Sequence, residues 1–177
     1  MSIPLNEITP YLNQVAHYDA QLRVALKAFF EQSLGQNNFY VAGPADYSSC
    51  FCCTLGFNCE WQLLPNESPD SQFELCVYIS LRGPFISSTG LELQPYQNSD
   101  YRLPGDTSGM YRPTPIAQQK ARHYADAVAQ QFGRTYLDRD WAESQIIDPD
   151  SLSGEVLSVI FPDDMPTIFK VLFGQFI

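Results

Sequence analysis

The chain carries little positive charge. Its 177 residues include ten Lys and Arg against twenty Asp and Glu, so the formal net charge at pH 7 is −10. An acidic chain repels phosphate backbones and anionic lipid headgroups, and it attracts basic proteins. We therefore expect neither nucleic acid nor a membrane surface as partner, and we expect another protein, for example a basic one.

Residues and motifs that signal catalysis are also scarce. The two histidines, His17 and His123, fall near the edges of expected helical apolar stripes, without a nucleophile at a recognisable spacing. Phosphate-cradling glycine loops, nucleophile elbows and zinc-protease helices are missing. Asp148 and Asp150 lack the later ligands of a calcium loop, and turn or cap chemistry explains them. The sequence thus assigns no catalytic residue, metal or cofactor.

Long apolar runs and a secretory signal are missing too. No stretch reaches the roughly 18 apolar residues of a spanning helix, and residues 1–10 lack the pattern of a leader. Five cysteines, an odd number, fit reduced structural thiols in the cytoplasm. Cys50 and Cys53 should diverge across a strand, which argues against a redox pair. Zinc would need Cys50, Cys52 and Cys76 together, and no fourth ligand is evident.

The apolar content is sufficient for one hydrophobic core. Hydrophobic residues make up 45% of the chain and aromatic residues 14%, and the length suits a single core, so we predict one domain over residues 1–177. Apolar residues at three- and four-residue spacing predict helices over 10–34 and 115–132. A Thr-Pro pair precedes each stripe as a start signal, and a glycine follows each as a stop.

Between these helices the apolar period changes from 3.6 to 2. Alternation predicts strands over 51–63 and 73–81, each with one buried face and joined as an antiparallel hairpin; 39–42 and 85–93 add two more. We therefore predict an α+β fold, in which an antiparallel sheet of about four to six strands, a central meander, packs against the two helices. The expected core residues are Phe51, Leu55, Phe57, Trp61, Leu75, Val77 and Ile79 from the strands, and Leu22, Leu26, Phe29 and Val128 from the helices.

The last part of the chain predicts two short apolar elements. Residues 155–161 read as a buried strand, and residues 167–176 as a short helix that is apolar nearly all round. Such a helix must be buried on several sides. It either docks into the core of its own chain or forms the contact of a homodimer.

The segment 95–115 is the candidate binding site. It runs for about twenty residues without helical or strand periodicity, which is uncommon in a compact domain unless the loop is functional or disordered. Tyrosine and arginine anchor many interfaces because they combine contact area with directional hydrogen bonds. The residues we predict to bind a partner are Tyr96, Tyr101, Arg102, Tyr111 and Arg112. The alternative is that the tyrosines hold the loop against the domain itself.

Two classes of function remain open. The first is a protein-interaction domain, such as an inhibitor, an immunity-type protein or a chaperone-like binder of a partner protein. The second is a small enzyme whose pocket lies between sheet and helices and uses Tyr, Arg and Asp side chains. A deep cleft with converging polar groups would favour the enzyme, and a shallow patch would favour the binder.

We predict that Arg102→Ala and Arg112→Ala weaken binding or activity and leave the melting temperature nearly unchanged, because a displayed loop contributes little to the core. A binding assay paired with thermal unfolding checks this. If both variants keep full function, or both unfold, the loop is structural.

Overall fold

The computed structural model describes residues 3–43, 49–56, 72–95, 109–157 and 165–174. In these residues a mostly antiparallel sheet of six strands is packed by helices, which confirms the α+β class. The strands are Phe39–Ala42 (β1), Cys50–Leu55 (β2), Phe73–Ser80 (β3), Phe85–Pro95 (β4), Gly109–Pro113 (β5) and Thr135–Tyr136 (β6). The helices are Leu5–Leu12 (α1), Ala20–Leu34 (α2), Pro115–Phe132 (α3), Arg139–Ser144 (α4), Gly154–Leu157 (α5) and Ile168–Phe173 (α6). None of these helices is long and apolar enough to cross a membrane.

The first five strands form the predicted meander. They lie side by side in chain order, and each pairs antiparallel with the next. Gly83 and Pro84 lie in the bend between β3 and β4. The short strand β6 returns after α3 and pairs in parallel with the start of β4. Both termini of α3 are thereby held at defined places on the sheet.

The central helix has the predicted bounds. The Thr114 side chain accepts a hydrogen bond from the Ala117 N–H, and Gly133 ends the helix in the left-handed region at φ 61°. The first turn of α3 lies directly on β4 at Gly90. A Cβ atom at Gly90 would stand 1.9 Å from the Ala117 carbonyl oxygen, so this crossing requires glycine.

The single N-terminal helix predicted over 10–34 is wrong, because two helices occupy this region. Thr9 and Pro10 lie inside α1, where the Thr9 hydroxyl donates to the Leu5 carbonyl oxygen at 2.9 Å. Proline removes a backbone donor, and α1 ends two residues later. Asp19 then starts α2 as its N-cap by accepting the Leu22 N–H at 2.8 Å. Residues 13–19, the connector, therefore have no helical structure.

The predicted core on one face of the sheet is confirmed for the residues that the structure describes. Phe57 and Trp61 lie outside them, as does the part of the predicted strand 51–63 that follows Gly56. We call the sheet face that carries this core the α2/α3 face. Its buried members include Val41, Phe51, Cys53, Leu55, Leu75, Val77, Ile79 and Ile86, together with Leu26, Phe30 and Val128; Leu22 and Phe29 pack against them partly buried.

The expectation of one buried face per strand is wrong, because β2 is buried on both faces. Cys50 and Cys52, on the positions assigned to the polar face, are as buried as Phe51 and Cys53. Cysteine behaves as a small hydrophobe, so every position of β2 except Thr54 is apolar. This second surface, the α6 face, packs against the C-terminal part of the chain and against α1. Its buried members include Cys50, Cys52, Tyr78 and Phe85 with Ile8, Ile168, Phe169, Leu172 and Phe173.

The C-terminal predictions have mixed outcomes. Residues 155–157 are helical in α5, not a strand, and 158–161 lie outside the described residues. The Ser153 hydroxyl accepts the Val156 N–H at 3.4 Å and so supplies the helix start. The short apolar helix is confirmed as α6, capped by Thr167. Its apolar side chains are already buried within the single chain.

The segment 95–115 is less irregular than predicted. Strand β5 occupies its later part and pairs with the end of β4, from Leu91↔Pro113 to Pro95↔Gly109. Residues 96–108 lie outside the described residues. Gly109 and Met110 continue the pairing in place of an open loop. Proline at the end of this short strand interrupted the periodicity and so concealed the strand.

We predict that Phe173→Ala lowers the free energy of unfolding by about 3–5 kcal/mol, because a large buried aromatic leaves a cavity. Phe173 is fully buried, and its ring lies 5.1 Å from that of Phe169. Denaturant unfolding measures the change. Val24→Ala on α2 is the control, since Val24 is 67% exposed and should change stability by no more than about 0.5 kcal/mol. A loss below about 1 kcal/mol at Phe173 would contradict the burial of the α6 face.

Candidate functional site

The structure separates the predicted site residues that it describes. Tyr96, Tyr101 and Arg102 lie outside the described residues. Tyr111 and Arg112 are neighbours on β5, where Tyr111 pairs with Leu93 and Arg112 with Glu92. Adjacent residues on a strand point to opposite faces, so Tyr111 and Arg112 do not converge. Both are exposed, and their role in binding stays a prediction.

A cleft of about 630 Å³ lies where the connector meets the bend between β3 and β4 and the end of α3. Gln14 and residues 17–22, 80–84 and 132–134 line it. The volume falls in the range of small-molecule sites, and the wall is more polar than apolar. It is therefore the strongest candidate site in the part of the chain that the structure describes.

Arg82 forms the inner wall of the cleft. It is only 4% exposed. Its Nε donates to the Ser49 hydroxyl at 2.9 Å, and its Nη1 donates to the Gln14 carbonyl oxygen. These bonds hold the connector against the end of the sheet. Burial lowers the pKa of the Arg82 guanidinium, and the negative charge of Glu155 acts in the opposite direction.

Arg134 enters the cleft from the end of α3, directly after the left-handed Gly133. Its Nη1 donates to the carbonyl oxygens of Ser80 at 2.7 Å and Gly83 at 3.2 Å. Its Nε and Nη2 bond no acceptor among the described residues. Burial lowers the pKa of this guanidinium, and Asp19 partly offsets the shift. Arg134 is thus anchored on the backbone on either side of Arg82.

The electrostatics of the cleft are positive within an acidic protein. In the described part of the chain, the ion pairs include those of Arg122 with Asp126 and of Arg139 with Glu143, and none involves Arg82 or Arg134. Neither Arg82 nor Arg134 therefore has a carboxylate within ion-pair distance there. The N-terminus of α2 also faces the cleft and adds a partial positive charge. Asp19 caps that terminus and supplies the opposing negative charge.

The remaining polar side chains orient a ligand better than they transform one. The Ser80 hydroxyl is committed to the Leu172 carbonyl oxygen at 2.7 Å, so it is not a poised nucleophile. The Tyr18 hydroxyl accepts from Arg23 Nη1 at 3.4 Å. No hydrogen bond among the described residues links His17 to a nucleophile or an orienting carboxylate. The arrangement can bind an anionic group through guanidinium forks.

Metal binding has no support from the described side chains. Cys50 and Cys53 lie on opposite faces of the sheet, as the sequence predicts. No group of three or more His, Cys, Asp or Glu that could hold a metal occurs in the ranges the structure covers. The Asp148 carboxylate accepts the Asp150 N–H at 3.1 Å, and Asp138 caps α4, so these acids serve turns and caps.

Sequence reasoning missed the two arginines of the cleft. Both follow turn signals, because Arg82 precedes Gly83-Pro84 and Arg134 follows Gly133. A search for arginines next to such turn signals would have selected both. The connector was expected to be helical, so nothing placed Gln14 or His17 opposite Arg82.

Comparison of the chain with protein-family models, curated proteins and solved structures finds no significant match. The function must therefore be inferred from the geometry of the site.

Proposed function

We propose that this protein is a binding domain that holds a small ligand with a carboxylate or phosphate group in the cleft lined by Arg82 and Arg134. The observation that carries the proposal is a buried guanidinium, Arg82, beside a half-buried one, Arg134, with neither in ion-pair contact with a carboxylate among the described residues. A buried charge is costly unless an opposite charge compensates it. Neutral carbonyl and hydroxyl acceptors orient both groups and leave their charge available.

The shape of the wall indicates what the rest of the ligand is like. Leu22, Leu81, Pro84 and Phe132 line the same cleft. An apolar body beside the anionic group would therefore remove surface from water at both partners. Arginine presents its N–H groups in a planar fork that matches carboxylate and phosphate oxygens. The proposed ligand class is a small amphipathic anion.

Binding is favoured over catalysis by the side chains of the cleft. Tyr18, Asp19 and the two arginines are the residue types of the enzyme alternative, in a pocket between sheet and helices. A catalytic site would also require a nucleophile or a base within hydrogen-bond reach of a partner. The described residues that line the cleft offer no such pair, so we place the enzyme second.

A partner protein remains a separate proposal, and one observation favours it. Strand β5 stands at the end of the strand order, and its Met110 and Tyr111 are 49% and 40% exposed. An edge strand can pair with an extended segment of another chain, while exposed side chains select the partner. The predicted residues Tyr96, Tyr101, Arg102, Tyr111 and Arg112 would act here. A cytoplasmic location and a homodimer belong to the same set of proposals.

Calorimetric titration with phenyl phosphate, benzoate and benzamide tests the anion proposal. We expect saturable binding of the two anions and none of the neutral amide. Arg134→Gln should weaken the binding of both anions roughly 10- to 150-fold, since a hydrogen bond to a charged group contributes about 1.5–3 kcal/mol. Arg134→Lys, which keeps the charge and loses the fork, should fall between the two.

Lys27→Gln is the matched control, because it removes one positive charge from an exposed position of α2 outside the cleft. It should bind both anions as the wild type does. Thermal unfolding of each variant verifies that the fold is kept. Equal affinity for benzamide and benzoate, or unchanged affinity in Arg134→Gln, would overturn the proposal.

A further inference from the structure

A cluster of thiol and hydroxyl groups lies on the α6 face of the sheet, and none of its members lines the cleft. Cys76 on β3 is paired with Thr54 on β2 and with Thr89 on β4. Directly opposed residues of antiparallel strands share a face, so two hydroxyls flank the thiol. Cys52 is paired with Tyr78 and is therefore the diagonal neighbour of Cys76 on this same face.

The two thiols of this cluster differ in exposure and in hydrogen bonding. Cys76 is half-buried, whereas Cys52 is buried. The Thr54 hydroxyl lies 4.0 Å from the Cys76 sulfur. The hydrogen bond with Cys52 is the largest cause that lowers the pKa of Cys76, and the hydroxyls of Thr54 and Tyr78 act in the same direction. Burial opposes the shift, and the resulting pKa is about 7. The same hydrogen bond and burial raise the pKa of Cys52.

The roles of the two thiols follow from this difference. A thiolate is the nucleophilic form of cysteine, and Cys76 is the thiol that ionises near neutral pH and reaches solvent. Cys52 stays protonated beside it as a donor. Cys50 and Cys53 lack these properties: the Cys50 thiol is buried and donates to the Phe173 carbonyl oxygen at 2.7 Å, and Cys53 is buried on the α2/α3 face.

An unpartnered hydroxyl on the same face is an independent sign of a ligand. Ser87 is the direct partner of Tyr78 on β4 and is fully buried, yet its Oγ has no hydrogen-bond partner among the described residues. A buried hydroxyl left unsatisfied costs free energy, which an incoming polar group would recover. The cluster therefore holds an unused donor beside its thiols.

Charged groups around the thiols complete the setting. From α4, Arg139 Nη1 donates to the Thr89 hydroxyl at 2.5 Å, and its Nε bonds Glu143 at 2.6 Å. The same guanidinium lies 5.9 Å from the centre of the Tyr78 ring. Glu74 on β3 is the negative group that acts on Cys76 and raises its pKa. A cation is thus held next to the hydroxyl that flanks the reactive sulfur.

We propose that Cys76 is a redox-reactive thiol that is oxidised by hydroperoxides, with Cys52 as the thiol that resolves the oxidised form. The Cys76 thiolate attacks one peroxide oxygen, so that an S–O bond forms, the O–O bond breaks, and the departing oxygen takes a proton and leaves as water or an alcohol. The Cys52 sulfur then displaces the hydroxyl of the Cys76 sulfenic acid. An S–S bond forms, the S–O bond breaks, and water leaves with the Cys52 proton.

The disulfide formed in this way would be readily reversible. Diagonal neighbours in antiparallel strands stand about 7–8 Å apart at Cα, whereas ordinary disulfides span about 4.4–6.8 Å. Closing the bond therefore requires β2 or β3 to shift, and a strained disulfide is easily reduced. A thiol reductant returns both residues to the starting state.

Peptide mapping after hydrogen peroxide treatment of the reduced, folded protein tests the proposal. The wild type should form a Cys52–Cys76 disulfide that dithiothreitol reverses. Cys52→Ser should instead retain a sulfenic acid at Cys76, which dimedone traps. Cys76→Ser should lose at least about nine-tenths of the thiol oxidation rate, because its remaining described thiols are buried or protonated. Oxidation that begins at another cysteine, or a wild type that gives no Cys52–Cys76 disulfide, would overturn the proposal.

The pH dependence of alkylation gives a second readout on the unmodified protein. Iodoacetamide should label Cys76 first, with a rate midpoint near pH 7, because the thiolate fraction sets the rate and the pKa is lowered to about 7. In denaturant the midpoint should return to about 8.5. Slow labelling of Cys76 at pH 7, equal to that of the unfolded chain, would contradict the reactive state.

Discussion

The docking of α6 on the sheet is the contact on which the rest of the structure depends. The last carbonyl groups of a helix have no partners inside it, and here the sheet supplies them. The Ser80 hydroxyl donates to the Leu172 carbonyl oxygen at 2.7 Å, and the Cys50 thiol donates to that of Phe173 at the same distance. The Ser80 hydroxyl also accepts the Arg82 N–H at 3.1 Å. One residue thereby joins the burial of α6 to the position of the cleft arginine.

Local signals in the sequence were sufficient for the central helix and the meander. The bounds of α3 follow from Thr114, Pro115 and Gly133, which act within one helical turn of each end. Alternation in two neighbouring segments was enough to pair β2 with β3. The prediction of a single N-terminal helix was wrong because Thr9-Pro10 carries the same start signal but lies inside α1. Asp19, which caps α2, lay inside the predicted helix 10–34 and was not recognised as a start.

The second face of the sheet and the cleft could not be predicted because they depend on contacts between distant segments. Cys50 and Cys52 read as polar positions until α6 covers them. Arg82 and Arg134 come together only when the end of α3 returns to the bend between β3 and β4, and pattern analysis places neither. The predicted pair Tyr111 and Arg112 shows the converse. The two residues are neighbours in sequence, and their side chains therefore point to opposite faces of the strand.

The close crossing of α3 over β4 sets a limit on how this fold can vary. At Gly90 the helix backbone occupies the space of a side chain, so the distance between helix and sheet is fixed by two backbones alone. Divergent chains could change the surface of α3 freely, yet substitution here would tilt the whole helix away from the strands. A glycine in the middle of the fourth strand, followed by a helix that begins about twenty-five residues later, would therefore serve as a sequence marker for distant homologues of this domain.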